Sequence, residues 1–287
     1  MQLHRFENDR AQLTYLADCL RASVDDLDGI VGATAQLIRR AIDEVIDAPR
    51  TKRLVLSQCE KTEKTYLGTK VEILFRDAIS QPKGEFLDLN LGGVDTDIKH
   101  SIGTAWMIPK EAINKPCVLI SENEATARFN LGVIVCRPEN LTAGGNRDQK
   151  LQVSAYGREQ AVWLAKDEPY PRNIWQGFDS GLLARINSHR GGAARVAELF
   201  RNLQETPIPR SAIAAIAAQL DPLKRVRANG GARDILRPEG IAILWGSKDR
   251  ALIAALDLPG ILSDEFISFT PSTAGQARML QAAGHLD

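Results

Sequence analysis

The chain has 287 residues, of which 44% are hydrophobic and 25% charged, a balance that suits about two domains with packed cores. Its 36 basic and 36 acidic side chains cancel, so bulk charge announces neither a polyanionic nor a polycationic partner. No apolar run reaches a membrane span, MQLHRFENDR lacks a signal-peptide pattern, and no Walker loop or GxGxxG follows a strand. The cysteines Cys19, Cys59, Cys117 and Cys136 are scattered without metal-site spacing and read as buried thiols in a reducing compartment.

The first 50 residues read as helices. Val31, Ile38, Ala41, Ile42 and Val45 recur at spacings of three and four, and the pattern stops before Pro49. A further helix is expected over 65–79, with Leu67, Val71, Leu74 and Phe75 as its apolar stripe. The period then changes. In FLDLNLGGVDTDIK (86–99) apolar and polar residues alternate on both sides of Gly92-Gly93, the signal of a hairpin with a two-residue turn. CVLIS (117–121) and FNLGVIVC (129–136) read as more buried strands.

KDEPYPRN (166–173) is the expected linker. Beyond it, ARVAELFRNL (194–203) and RSAIAAIAAQL (210–220) are helical, LKRVRANGGARDILRPEG suggests a basic helix and a Gly-rich turn, and IAILW (241–245) a strand. That order fits a winged helix-turn-helix. Charge is uneven as well: residues 1–50 hold six basic against nine acidic side chains, and residues 189–237 hold nine against four.

The hairpin carries the chemistry. Its register sets Asp88 opposite Asp97 with their Cβ atoms about 5 Å apart, and Lys99 projects from the same face. Two adjacent carboxylates repel unless a cation lies between them. Magnesium suits such a pair, because it takes one or two carboxylates and fills its other positions with water and substrate phosphate. The same residues also fit a solvent-facing strand pair, and Asp95, two residues from Asp97, is a rival ligand. Glu72 lies near the edge of the preceding apolar stripe, but helical periodicity alone does not aim it at the hairpin.

Several blocks, in order, resemble the NaeI-type restriction endonucleases: KTEKTYLGTKVEILFRDA (61–78), DLNLGGVDTDIKHSIGTAWMIPKE (88–111), GGNRDQK (144–150), ARVAELFRNL (194–203) and KRVRANGGARDILRPEGIAIL (224–244). The likeness thins after about residue 247. The resemblance implies an α+β fold, with a mixed central sheet flanked by helices in a PD-(D/E)xK nuclease core akin to MutH. A mainly helical winged-helix DNA-binding domain would follow. The implied boundaries are 1–165 for the nuclease, 166–173 for the linker and 174–287 for the second domain. The family's helix Glu, its Asp and its D-x-K fall on Glu72, Asp88, Asp97 and Lys99, with Asp88, Asp97 and Glu72 as metal ligands. It further implies Mg²⁺ (Mn²⁺ substituting), double-stranded DNA as substrate, a homodimer with an effector DNA site, a companion methyltransferase and a bacterial cytoplasmic setting.

DNA contacts are expected from Lys61 and Lys64, which also suit a solvated helix end, and from Asn146 and Arg147, whose types read purine edges but also make turns. Lys224, Arg225, Arg227, Arg233 and Arg237 cluster where a recognition helix and wing would lie. His100 is a neighbour of the site, and Trp106 and Met107 read as core. Two rival readings stay open: a strand-nicking or modified-DNA-dependent endonuclease, and a helix-turn-helix regulator that keeps the first domain only for dimerisation.

Overall fold

The computed structural model describes residues 6–24, 28–51, 53–145, 148–176, 180–217 and 221–287. The chain forms two compact units, Met1–Ile46 with Val55–Gln176, and Asp47–Leu54 with Gly177–Asp287. Among the described residues no helix is long and apolar enough to cross a membrane.

The first unit opens with α1 (Asp9–Arg21), capped by Asn8 Oδ1 accepting from Ala11 N, and α2 (Gly29–Ile46). Each buries one stripe: Leu13, Leu16, Ala17 and Leu20 in α1, and Ile38, Ala41, Ile42 and Val45 within that of α2. The chain then enters the second unit for the short α3 (Ala48–Thr51) and returns to form α4 (Lys61–Ala78). α4 begins four residues before its periodicity predicts, because Glu60 and Glu63 form a capping box there.

The strands are β1 (Leu89–Leu91), β2 (Val94–Ile102), β3 (Met107–Ile108), β4 (Pro116–Asn123), β5 (Arg128–Val135) and β6 (Leu151–Gln152). The helix α5 (Ala155–Gln160) and strand β7 (Val162–Pro169) close the set. The central sheet runs β1-β2-β4-β5-β7, with β2 and β4 parallel and the other pairs antiparallel. This is the mixed α+β sheet expected of a restriction-endonuclease-like fold. Cys117, Leu119 and Ile134 pack on one face with Trp106, Ile108, Leu141 and Val153. α4 lies against β2, and α1 and α2 lie against β5 and β7.

The expected linker is overturned over most of its length. Residues 166–169 belong to edge strand β7, and Tyr170, Asn173 and Trp175 beyond it are buried. Lys166, Asp167 and Glu168 look like linker residues because a sheet edge carries charge to resist pairing with other chains.

The second unit continues with α6 (Ser180–Ser188), α7 (Gly192–Asn202), β8 (Ile208–Pro209) and α8 (Arg210–Ala217). A 3₁₀ turn (Pro222–Arg225) and α9 (Ala232–Leu236) lead to β9 (Ala242–Trp245), α10 (Arg250–Ala255), β10 (Glu265–Phe269) and α11 (Ala274–Ala282). Its three-stranded sheet has the order β8-β10-β9. Leu244, Ile253, Leu256, Ile267, Phe269 and Leu280 form a core there.

The basic helix expected from 224 onward is not formed as one piece. Asn229 and Gly230 have φ of +68° and +91°, which breaks the helix, and a side chain at Gly231 would overlap the Arg227 carbonyl.

Candidate active site

The hairpin forms in the register its alternation sets: Leu91 pairs with Val94, Asn90 with Asp95 and Leu89 with Thr96. Gly92 and Gly93 turn it with φ of +58° and +81°, both positive as a type I′ turn requires. Tyr15 of α1 donates from its hydroxyl to Gly92 O at 2.9 Å and anchors the turn. Asp88 therefore stands one residue beyond the ladder, opposite Asp97.

Lys99 joins the two carboxylates. Its Nζ lies 2.9 Å from Asp97 Oδ1 and 3.5 Å from Asp88 Oδ2, and it donates to Ile98 O at 2.9 Å. Asp88 Oδ2 also accepts from Ile98 N at 3.1 Å. The cation that the acidic pair demands is thus, within the chain itself, an ammonium. It leaves one gap: Asp97 Oδ2 is buried and no N–H or hydroxyl donor reaches it, while the two carboxyl groups share a hydrogen bond.

These surroundings separate the two acids. Burial, reinforced by the Asp88 carboxylate, pushes Asp97 up to about 7 against the pull of Lys99. Burial also opposes ionisation of Asp88. There the hydrogen bond with Asp97, the Lys99 charge and the Ile98 amide prevail and hold it below the usual carboxylate range. Burial works against the charge on Lys99, yet the two carboxylates keep it firmly protonated.

Packing settles the position of Glu72. Arg76, one turn further along α4, donates to Asp88 O at 3.3 Å, and Gly68, one turn earlier, faces His100 with room for a contact of 3.9 Å. α4 thus runs antiparallel to β2, with Glu72 between these two contacts. Burial raises Glu72 to about 7, while Lys99 lowers it and Asp88 raises it, so both charges lie within electrostatic reach. Among the described residues, however, no three His, Cys, Asp or Glu side chains already converge on one ion position. Arg76 was missed in the sequence. Its spacing of four from Glu72 is the one signal that could have found it.

Asp95 is not a free rival. Its carboxylate accepts from Phe86 N and Leu87 N at 3.2 and 3.3 Å and pins the loop before Asp88. His100 follows Lys99 and so points to the other side of β2, toward α4. Burial lowers it to about 4, so its imidazole is neutral near pH 7. Trp106 is core, as expected, and donates its indole N–H to Ile120 O.

The proposed DNA contacts fare unevenly. Lys61 and Lys64 lie in the first turn of α4, about 16 and 12 Å along the helix from Glu72, and Lys64 Nζ donates to Ser57 O at 3.2 Å. They do not join the acidic cluster. Asn146 and Arg147 fall outside the described residues. In the second unit, Lys224 and Arg227 are exposed, and Lys224 lies 3.7 Å from Asp221. Arg225 is half-buried. Arg233 lies 3.9 Å from Asp249, and Arg237 donates to Gly284 O at 2.6 Å and Asp287 Oδ1 at 3.1 Å. These last two brace the unit from within, a role the basic cluster did not suggest.

The family model described as restriction endonuclease NaeI matches residues 17–278. Over 249 residues the chain is 37% identical to the type II restriction enzyme NaeI of Lentzea aerocolonigenes, which covers 83% of this chain and 77% of that protein. The family match runs well past residue 247, where the sequence blocks thin out.

Proposed function

Because this chain belongs to the restriction endonuclease NaeI family, we propose that it is a type II restriction endonuclease hydrolysing phosphodiester bonds in both strands of double-stranded DNA. The observation that carries the reading is Lys99 Nζ held between Asp88 and Asp97 on one face of the hairpin.

A divalent cation fits the site. Asp97 Oδ2 is a buried oxygen that no N–H or hydroxyl donor reaches, and two carboxylates are as many as Mg²⁺ ordinarily takes. Asp88 and Asp97 would hold it, with Glu72 beside them, and Mn²⁺ suits the same oxygen donors. The ion, when bound, supplies charge stabilisation to the phosphate and a more acidic water.

The chain's own groups do the rest. Asp88, ionised near pH 7, provides a standing negative charge. Asp97 and Glu72, each raised to about 7, must give up protons before a cation is held fully. Lys99, positively charged, orients the phosphate or the attacking water and neutralises charge that grows there. Arg76 fixes the Asp88 backbone and so positions that carboxylate.

Cutting both strands takes two such sites, and the described residues of one chain supply one. The reading therefore includes a two-fold dimer on a palindromic site. In the second unit, the order α7, β8, α8, α9, β9, β10 and the sheet order β8-β10-β9 support a winged-helix DNA reader. Arg227 and Lys224 are exposed cations suited to phosphate contact, and a second, effector DNA segment is its expected ligand.

The test is incubation of the purified full chain with methylated and unmethylated supercoiled plasmid and Mg²⁺. Linear product from unmethylated plasmid is expected. Nicked product alone would assign a strand-nicking enzyme, cleavage confined to methylated plasmid a modification-dependent one, and binding without cleavage in Mg²⁺ or Mn²⁺ a regulator.

A further inference from the structure

The loop before the catalytic hairpin presents a phenylalanine to solvent. Phe86 is 80% exposed, the highest value among the large hydrophobic residues described at the surface. A single exposed apolar side chain is ordinary on a protein surface. This one is distinguished by a loop that is tied down and by its place beside Asp88. Its own amide and that of Leu87 are bonded to the buried Asp95 carboxylate. Asn90 N donates to Pro82 O at 2.9 Å and ties the base of the loop. At Gly84 any side chain would overlap Asp95 Oδ1 and crowd Leu87 O at 2.7 Å, so the loop is closed down on that carboxylate. The ring is exposed because a folded, hydrogen-bonded backbone holds it there.

Position gives the exposure a purpose. Phe86 lies two residues before Asp88, so their Cα atoms are at most about 7 Å apart. Successive nucleotides in a strand are spaced about 3.4 Å along the helix axis. A ring at that reach meets the duplex within about two base steps of a phosphate seated at Asp88. The ring offers a flat apolar surface, the chemistry that proteins use to press against or enter a base step. Lys83 and Glu85, also exposed in this loop, carry opposite charges, so the loop offers no net charge to a phosphate. Its distinguishing feature is the ring. A second copy of the chain seated on Phe86 would crowd the approach to Asp88, whose side chain is itself one-third exposed. Substrate is therefore the occupant that the site favours.

We propose that Phe86 is a DNA-contacting residue, whose ring packs against the base stack beside the scissile phosphate and fixes the strand relative to Asp88. This rests on the nuclease reading above. Asp95 is then a positioning residue, acting through the Phe86 and Leu87 amides.

Two variants of the full chain test the proposal, Phe86→Ala and Phe86→Trp. For Phe86→Ala we expect kcat/KM for plasmid cleavage to fall about 10- to 100-fold, the range set by one lost base–aromatic contact. Its melting temperature and sedimentation should stay those of the unsubstituted protein. Phe86→Trp should keep most of the activity, and added duplex should change its tryptophan emission beyond any change in the unsubstituted protein. Unchanged cleavage by Phe86→Ala, or no emission change specific to Phe86→Trp at saturating duplex, would overturn the proposal. So would a shift of Phe86→Ala to a smaller assembly, which would assign the ring to an interface between copies. If the unsubstituted protein binds duplex but cuts none in Mg²⁺ or Mn²⁺, the nuclease reading fails instead, and the emission arm still decides whether Phe86 touches DNA.

Discussion

Two groups of buried carboxylates lie in the first unit, and they differ in how far each is tied into the fold. At the hairpin, Asp97 and Glu72 are raised to about 7 beside Lys99. At the other end of β4, burial raises Glu122 to about 7, and a cation, Arg39, again lies close by. The second group is knitted into the fold. Tyr170 donates to Glu122 Oε2 at 3.1 Å, and Arg39 bonds Asp43. Glu124 accepts from Leu56 N and from Asn173 Nδ2, each at 3.0 Å. Glu122, Tyr170 and Asn173 are all fully enclosed. At the hairpin, by contrast, Lys99 and Asp88 keep side-chain exposures of 19% and 32%. A perturbed acid is therefore a weak pointer alone. Glu122 Oε1, like Asp97 Oδ2, is a buried oxygen without a donor, so access to solvent makes the difference.

The largest expected effect separates these groups by activity. Asp88→Asn lowers Mg²⁺-dependent plasmid cleavage by about a thousandfold or more, since it removes half of the paired acid. Glu122→Gln leaves cleavage near that of the unsubstituted protein. Quantified gels over matched time courses check both, and comparable losses in the two variants would dissolve the distinction.

Stability should respond the other way. Glu124→Ala strips the buried Arg39 of a partner and frees the Leu56 amide and Asn173, a loss of about 2–4 kcal/mol in urea unfolding. Asp88→Asn should shift the same transition far less.

A pH series sharpens the contrast. Asp97 and Glu72 have folded pKa values raised above their unfolded ones. The stability they contribute is complete below about pH 4 and is lost as pH rises through about 7. A divalent cation reverses that loss by binding the ionised forms. The rise in melting temperature caused by Mg²⁺ should grow from pH 6 to pH 8, persist in Glu122→Gln and shrink in Asp97→Asn.

The smallest effect concerns the second unit. Arg227→Ala, at an exposed position, should weaken DNA binding by about 1 kcal/mol or less and reduce the salt slope by about one. Arg237→Ala should instead lower the unit's melting temperature, because its partners are Gly284 O and Asp287.

How much of this was legible in the sequence depended on how local the cause was. The hairpin register could be read because alternation and a Gly-Gly turn are properties of neighbouring residues. Asp88, Asp97 and Lys99 followed from it. Glu72 could not be placed in that way, because its position comes from packing of α4 on β2 and the Arg76 contact. The strand β7 was hidden by the charges that protect a sheet edge. The basic stretch after residue 223 looked helical by composition, but positive φ at Asn229 and Gly230 broke it. Asp95 resembled Asp97 in every local respect. Only the folded loop of Phe86 and Leu87 told them apart.

On the proposed function, the hairpin carboxylates hold a cation for cutting DNA. Cleavage of supercoiled plasmid with and without Mg²⁺, by the unsubstituted chain and by Asp97→Asn at matched DNA occupancy, tests it most directly. Cutting is expected only with Mg²⁺ and only with Asp97 present, while both proteins retard DNA equally. Undiminished cutting by Asp97→Asn would contradict it.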